Sequence, residues 1–426
     1  MADRNLQELT QSAARAQGAG DLVTATRLYR QALTLAPGHP ALLNSLGVTA
    51  LKAGDTATAL ASLSEATSAD PASPVLWVNL AKAQREAGDS AAERDSLDRA
   101  LAIDGLHFPA LVRKAELHER QGDRVEAMRL WQGILATAPD AANPEVARML
   151  DHARSYIGEQ SAAFARAVDR SLEKQRREVD PAALRRFDAC VAAGTGRRRI
   201  YVNECAGTHF PFLPADEFFA REHFPWFEAL EAASEAIRGE LEALIDDTAP
   251  GFAPYVQLEP GAPPNKWTPL SGKTTWNAYF LYKFGRPIAP ALERCPETAR
   301  ALASVHQLML EGRSPNAFFS ILEPGGVIPP HTGVTNTRAI VHLPLIVPPH
   351  CTFRVGGETR AWVAGEAFAF DDTIEHEARN ASDALRAVLI LDVWNPHLTA
   401  VEREMIGRYF AAADQAGFGD PELANG

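Results

Sequence analysis

Pro329-Pro330-His331-Thr332-Gly333-Val334-Thr335-Asn336-Thr337-Arg338 runs without a break into the apolar stretch Ala339 to Val347. In an extended chain Arg338, Ile340 and His342 fall on one face, and Ala339, Val341, Leu343 and Leu345 on the other. Short runs rich in β-branched and aromatic residues surround it, at Ala317 to Leu322, Thr352 to Val355, Thr359 to Val363, Ala367 to Phe370 and Leu385 to Trp394. Turns such as Glu323-Pro324-Gly325-Gly326 separate them. Further upstream, Trp276 to Phe284 reads as another strand and Phe227 to Ile245 as a helix. Short strands at this spacing predict a sandwich or jelly roll rather than a parallel sheet.

The same region carries the chemistry. His331 is followed 45 residues later by His376, and ten residues after that by Arg386. This is the spacing of a non-haem iron site that also grips a 2-oxoacid. Such sites usually complete a facial triad with a carboxylate two residues after the first histidine. Here that residue is Gly333, so either the metal is lost or two protein ligands suffice. Period two also gathers Phe318 with Ser320, and Arg386 with Val388, Ile390 and Asp392. A polar set of Ser320, His342 and Arg386 on otherwise apolar strands is what a buried dicarboxylate requires, Arg386 binding one carboxylate in bidentate fashion.

The first third is periodic. Gly-Asp pairs stand at Gly20-Asp21, Gly54-Asp55, Gly88-Asp89 and Gly122-Asp123, 34 residues apart throughout. In the same register fall Ala25, Ala59, Glu93 and Ala127, then Ala32, Ala66, Ala100 and Ile134, then Pro37, Pro71, Gly105 and Pro139. Gly ends one helix, Asp caps the next, alanines let helices approach and Pro stops the second. This looks like tetratricopeptide repeats, which stack into an all-α solenoid with a groove suited to peptides or proteins. Charged helix-like sequence follows to a Gly/Arg-rich break at Gly194 to Arg199. The expected domains are therefore 1–140 (repeats), 141–199 (helical extension), 200–400 (jelly roll with flanking helices) and 401–426 (terminal helix and tail).

Composition bounds the rest. A 426-residue chain with 23% charged and 46% hydrophobic residues is ordinary for a globular protein. A net charge of -12 argues against nucleic acid as a partner. No signal peptide is visible and no apolar run is long enough for a membrane span. Cys190, Cys205, Cys295 and Cys351 are scattered without a CxxC, which suits a reducing, cytoplasmic location.

Two blocks carry a family resemblance. Pro329 to Arg338 with His342 is one; Phe370-Asp371-Asp372-Thr373-Ile374-Glu375-His376-Glu377, with Arg386 and Asp392-Val393-Trp394-Asn395-Pro396, is the other. Together they resemble the aspartyl/asparaginyl β-hydroxylases over about His209 to Thr399. The resemblance implies a cupin-like double-stranded β-helix, and Fe(II) held by two histidines alone, which would be His331 and His376. It implies 2-oxoglutarate on Arg386, Ser320 and His342, and O2 as co-substrate. Asp372 would lie near the metal water, or else only cap the turn after Phe370. Phe318, Arg338 and Ile340 would face the substrate. Animal members place basic residues at the positions of Phe318 and Ile340 to hold an aspartyl carboxylate. Two apolar residues there point to an asparagine, another neutral or apolar residue, or a free small molecule.

The expected activity is hydroxylation of a C–H of a peptide or protein residue, with succinate and CO2 as co-products and the repeats recruiting the polypeptide. Hydroxylation of a small molecule or lipid acyl chain is one alternative. A repeat scaffold with a relic barrel is another.

Overall fold

The computed structural model describes residues 2–138, 143–247, 251–305 and 308–417. Pro139 of the repeat register and the tail from 418 onward lie outside these residues. Chain contacts divide the protein into two units, Met1–Gly196 and Arg197–Gly426.

The first unit is built of helix pairs: α1 (Ala2–Gly18), α2 (Leu22–Leu35), α3 (Pro40–Lys52), α4 (Thr56–Ala69), α5 (Pro74–Glu86), α6 (Ser90–Ile103), α7 (Phe108–Gln121) and α8 (Arg124–Thr137). The 35-residue α9 (Pro144–Glu178) and α10 (Pro181–Gly194) follow. Each repeat turns where the sequence places it. Gly20, Gly54, Gly88 and Gly122 hold φ between 74° and 80°, a region that glycine enters without steric cost. The next residue caps the following helix: Asp21, Asp55, Asp89 and Asp123 accept from the backbone N–H three residues on. Ala25, Ala59 and Ala127 are fully buried between helices, as are Ala32, Ala66, Ala100 and Ile134. Glu93 breaks the small-residue register yet is equally buried, and Arg120 neutralises it through two hydrogen bonds of 2.8 and 2.7 Å.

The second unit is a two-sheet sandwich. Its strands are β1 (Trp276–Lys283), β2 (Ala317–Leu322), β3 (Val327–His331), β4 (Arg338–Ile346), β5 (Cys351–Val355), β6 (Glu358–Ala361), β7 (Phe368–Phe370), β8 (His376–Asn380) and β9 (Arg386–Trp394). The larger sheet runs β1-β2-β9-β4-β7, with the two-residue pieces Ala253–Pro254 and Arg286–Pro287 beside β1. The smaller runs β3-β8-β5-β6, and all pairings are antiparallel. The outer face of the larger sheet (Phe319, Ile321, Val341, Leu343, Leu389, Leu391) shares a core with Leu230, Ile237, Leu241 and Leu302 from flanking helices. Its inner face joins Leu322 and Val388 to Ile328, Phe353, Val355 and Ile374.

Two differences from the sequence reading bear on the site. The stretch Phe227 to Ile245 is two helices, α11 (Phe227–Ala232) and α12 (Ser234–Ile245), which turn at Ala233. The turn leaves Glu231 to accept from Ala367 N at 2.7 Å and to pair with Arg221. More important, β3 and β8 are strands that do not stand among those expected from the sequence. Pro329 and Pro330 disguise β3, but it lies at a sheet edge, where a missing N–H breaks no ladder.

Glu93 and Arg120 give a test of the repeat packing. Arg120→Ala strands a buried carboxylate and lowers stability by about 1–3 kcal/mol in urea unfolding. Glu93→Ala restores the residue of three sibling repeats and costs less. The double variant should match Glu93→Ala rather than the sum.

Candidate functional site

The antiparallel register sets His331 of β3 directly opposite His376 of β8. Cross-strand partners bring their side chains into contact, and the two imidazole centroids lie 4.0 Å apart. A β-bulge follows His376 in this pairing, a device that re-aims side chains near sites. His331 Nδ1 lies 2.8 Å from Pro329 O, and His376 Nδ1 lies 3.0 Å from Ile374 O. A carbonyl only accepts, so both protons sit on Nδ1 and each Nε2 keeps its lone pair. Burial holds His331 well below the usual imidazole range and pushes His376 down to about 4. Two neutral nitrogen donors thus line one cavity.

That cavity, of about 510 Å³, gathers all nine residues singled out in the sequence: Phe318, Ser320, His331, Arg338, Ile340, His342, Asp372, His376 and Arg386. Arg386 is 1% exposed, and its Nη1 makes only long contacts of 3.4 Å to Ser320 O and Oγ. Its guanidinium lies 4.6 Å over Trp362, and its Nε has no hydrogen-bond partner among the described residues. Burial pushes its pKa down to about 10. The Ser320 hydroxyl accepts from Trp276 Nε1 at 3.0 Å, and His342 Nδ1 accepts from Trp362 Nε1 at 3.4 Å. The latter bond leaves the His342 proton on Nε2. His342 is held well below its ordinary pKa by burial, with the Arg386 charge adding to the effect.

Arg338 is treated in the opposite way. It donates to Asp372 Oδ2 at 2.7 Å and lies 4.0 Å from Asp392. Asp392 also accepts from Ser314 Oγ, Asn316 N and Asn316 Nδ2. Asp392 is therefore committed to Arg338 and not to Arg386.

The cap of the turn after Phe370 is Asp371, which accepts from Thr373 N and Oγ1 at 3.0 and 2.6 Å. Asp372 instead enters the cavity. A Cβ built on Gly333 would lie 2.2 Å from Asp372 Oδ2 and 2.3 Å from its Cγ. The space of the missing triad side chain is thus filled by a carboxylate from the neighbouring loop. Its Oδ1 is buried and has no hydrogen-bond partner among the described residues. No cluster of three or more His, Cys, Asp or Glu with metal-binding arrangement occurs among the described residues. A metal here would have two imidazole ligands, with an open acceptor in Asp372 Oδ1. That donor set suits a divalent transition metal.

Sequence reasoning missed several supports. Trp276 and Trp362 hold Ser320 and His342, and Trp267 sits edge-on to His331 at 4.9 Å. An upstream segment braces both motif loops: Glu204 N donates to Thr373 O, Ala206 N to Gly333 O and Gly207 N to Val334 O. Asn203 Nδ2 donates to Asp371 at 2.7 Å, while Phe210 and Asn336 exchange two hydrogen bonds. None of these has a local sequence signal beyond the aromatic content itself.

Residues 231–396 match the sequence model of the Aspartyl/Asparaginyl beta-hydroxylase family. The second unit carries an aspartyl/asparaginyl β-hydroxylase domain. Residues 13–74 and 44–108 match the tetratricopeptide repeat model, in agreement with the helix pairs. Aspartate beta-hydroxylase domain-containing protein 1 of Homo sapiens is 34% identical over 204 residues, 47% of this chain and 48% of that protein. Domain-containing protein 2 of the same organism is 33% identical over 206 residues, 47% of this chain and 53% of its own length. Aspartyl/asparaginyl beta-hydroxylase of Mus musculus is 35% identical over 138 residues, 32% of this chain and 18% of that protein. The chain spans about half the length of the first two relatives.

Two outcomes test this geometry. Gly333→Asp places a carboxylate where Asp372 already sits, so stability falls by about 1–3 kcal/mol. Adding Asp372→Gly to it recovers most of the loss in thermal unfolding. The second test is acid titration. The folded-state pKa of His342 is depressed, so its contribution is present above about pH 6.5 and lost as pH falls below it. His342→Phe, whose ring suits the surrounding aromatics, should flatten the acid limb of stability against pH by up to one proton.

Proposed function

We propose that the domain is an Fe(II)- and 2-oxoglutarate-dependent hydroxylase that acts on a C–H of a peptide or protein residue. One observation carries this reading. Two neutral imidazoles with Nε2 lone pairs share a cavity with a buried guanidinium that no carboxylate neutralises among the described residues. An isolated buried cation costs several kcal/mol, so the fold is arranged for an anion that is brought in.

In this reading His331 and His376 would hold the metal through their Nε2 atoms. Arg386 binds the distal carboxylate of 2-oxoglutarate, with the Ser320 hydroxyl and His342 Nε2–H oriented by Trp276 and Trp362. Asp372, tied to Arg338, would offer its unpartnered Oδ1 as an acceptor inside the same cavity. Iron(II) with 2-oxoglutarate and O2 supplies the oxidising power, one oxygen atom entering the substrate C–H and the other appearing in succinate as CO2 is lost. The protein supplies orientation and exclusion of water. The repeat helices, a class of array built around peptide-sized grooves, recruit the polypeptide.

The full chain with Fe(II), 2-oxoglutarate and O2 should release succinate, and His376→Ala should reduce this to background. Arg386→Met removes the anion's partner and should raise the KM for 2-oxoglutarate about 30-fold or more. It should also abolish the rise in Tm that 2-oxoglutarate gives the parent protein. Succinate release unaffected by His376→Ala sinks the proposal.

A further inference from the structure

We infer that the side chain presented for hydroxylation is uncharged and largely apolar, and that Phe318, Tyr255 and Ile340 select it. This deepens the hydroxylase reading above and rests on it for the word hydroxylation.

One wall of the cavity is aromatic. Tyr255 stacks on Trp276 at 4.0 Å and lies 5.4 Å from Phe318, which meets Phe280 at 4.9 Å. Strand register continues this wall inward. Phe280, Phe318, Ile390 and His342 are successive partners across β1, β2, β9 and β4, forming an apolar lane toward His342. Ile340 stands in the adjacent row, between Asp392 and Phe370.

The charges decide what this lane accepts. Arg338 is the arginine nearest the aromatic side, and it is already matched by two carboxylates. The three groups together carry one net negative charge. With Arg386 taken by the 2-oxoacid of the reading above, an acidic side chain would leave water to meet a surplus of its own sign, with only exposed lysines opposite it. Lys283 and Lys266 lie over the rings of Phe280 and Trp267 at 4.8 and 5.4 Å, but both are exposed, where ion pairing contributes little. An apolar side chain gains burial against four rings and disturbs no charge.

The test uses the full chain and three capped amino acids, N-acetyl-phenylalaninamide, N-acetyl-leucinamide and N-acetyl-aspartamide. Binding is followed by ligand-observed NMR, with and without zinc and 2-oxoglutarate. The two neutral compounds should compete with each other and bind about tenfold or more tightly than the aspartyl compound. Phe318→Arg should weaken the neutral pair and strengthen the aspartyl one. Equal or tighter binding of the aspartyl compound, no binding by any of the three, or neutral binding indifferent to Phe318→Arg overturns the inference. Failure of zinc and 2-oxoglutarate to bind, with the neutral compounds still preferred, would count against the cofactor reading alone.

Discussion

Two guanidiniums share one cavity, and their unequal neutralisation organises everything around them. Arg338 is enclosed by Asp372 and Asp392, while Arg386 has a tryptophan face, two long hydrogen bonds and, among the described residues, no carboxylate. Burying a cation in this way is costly, and the depression of its pKa to about 10 expresses that cost. The acid on the same strand and face, Asp392, does not relieve it, because it stands about 20 Å further along the extended chain. Instead Asp392 is taken up by Ser314, Asn316 and Arg338. The arrangement keeps one cation available to an incoming anion and withdraws the other.

The exchange of Gly333 for Asp372 follows the same logic. A carboxylate on residue 333 would extend from the loop that carries His331 into space that Asp372 already fills. Asp372 puts negative charge in nearly the same space, but Arg338 holds one oxygen and its own backbone oxygen accepts from Gly333 N at 2.6 Å. The charge stays local while the carboxylate is anchored. Glycine is required here by the close approach of that group and not by backbone conformation, since Gly333 is not among the glycines of positive φ.

Much of this was legible because period two and period 34 are local rules. Alternation alone put Arg338, Ile340 and His342 together, and Phe318 with Ser320, and those faces do meet in one cavity. The repeat register located every capping aspartate. What stayed hidden depended on pairing between distant segments. The strand character of β3 was masked by two prolines that only an edge position permits. The choice between Asp371 and Asp372 as turn cap could not be read from two identical neighbours, because a partner 34 residues away, Arg338, decides it. Trp276 and Trp362 serve residues 44 and 20 positions distant, and no motif marks them.

The least legible part is also the one that couples the two motifs. The segment from Asn203 to Phe210 belongs to neither sheet, yet it donates to Thr373 O, Gly333 O and Val334 O and closes a reciprocal pair with Asn336. One loop leads from His331 and the other leads to His376. Each loop alone would be a surface connection of the kind that moves and varies. Bound to a common segment, with Asn336 and Thr373 fully buried beneath it, they form one body. Displacing either loop therefore strains hydrogen bonds shared with the other, and the 4.0 Å relation of the imidazoles is fixed from outside the sheets as well as by strand register. Preorganisation of this kind holds two neutral imidazole donors in a fixed relation with no third residue bridging them among those described.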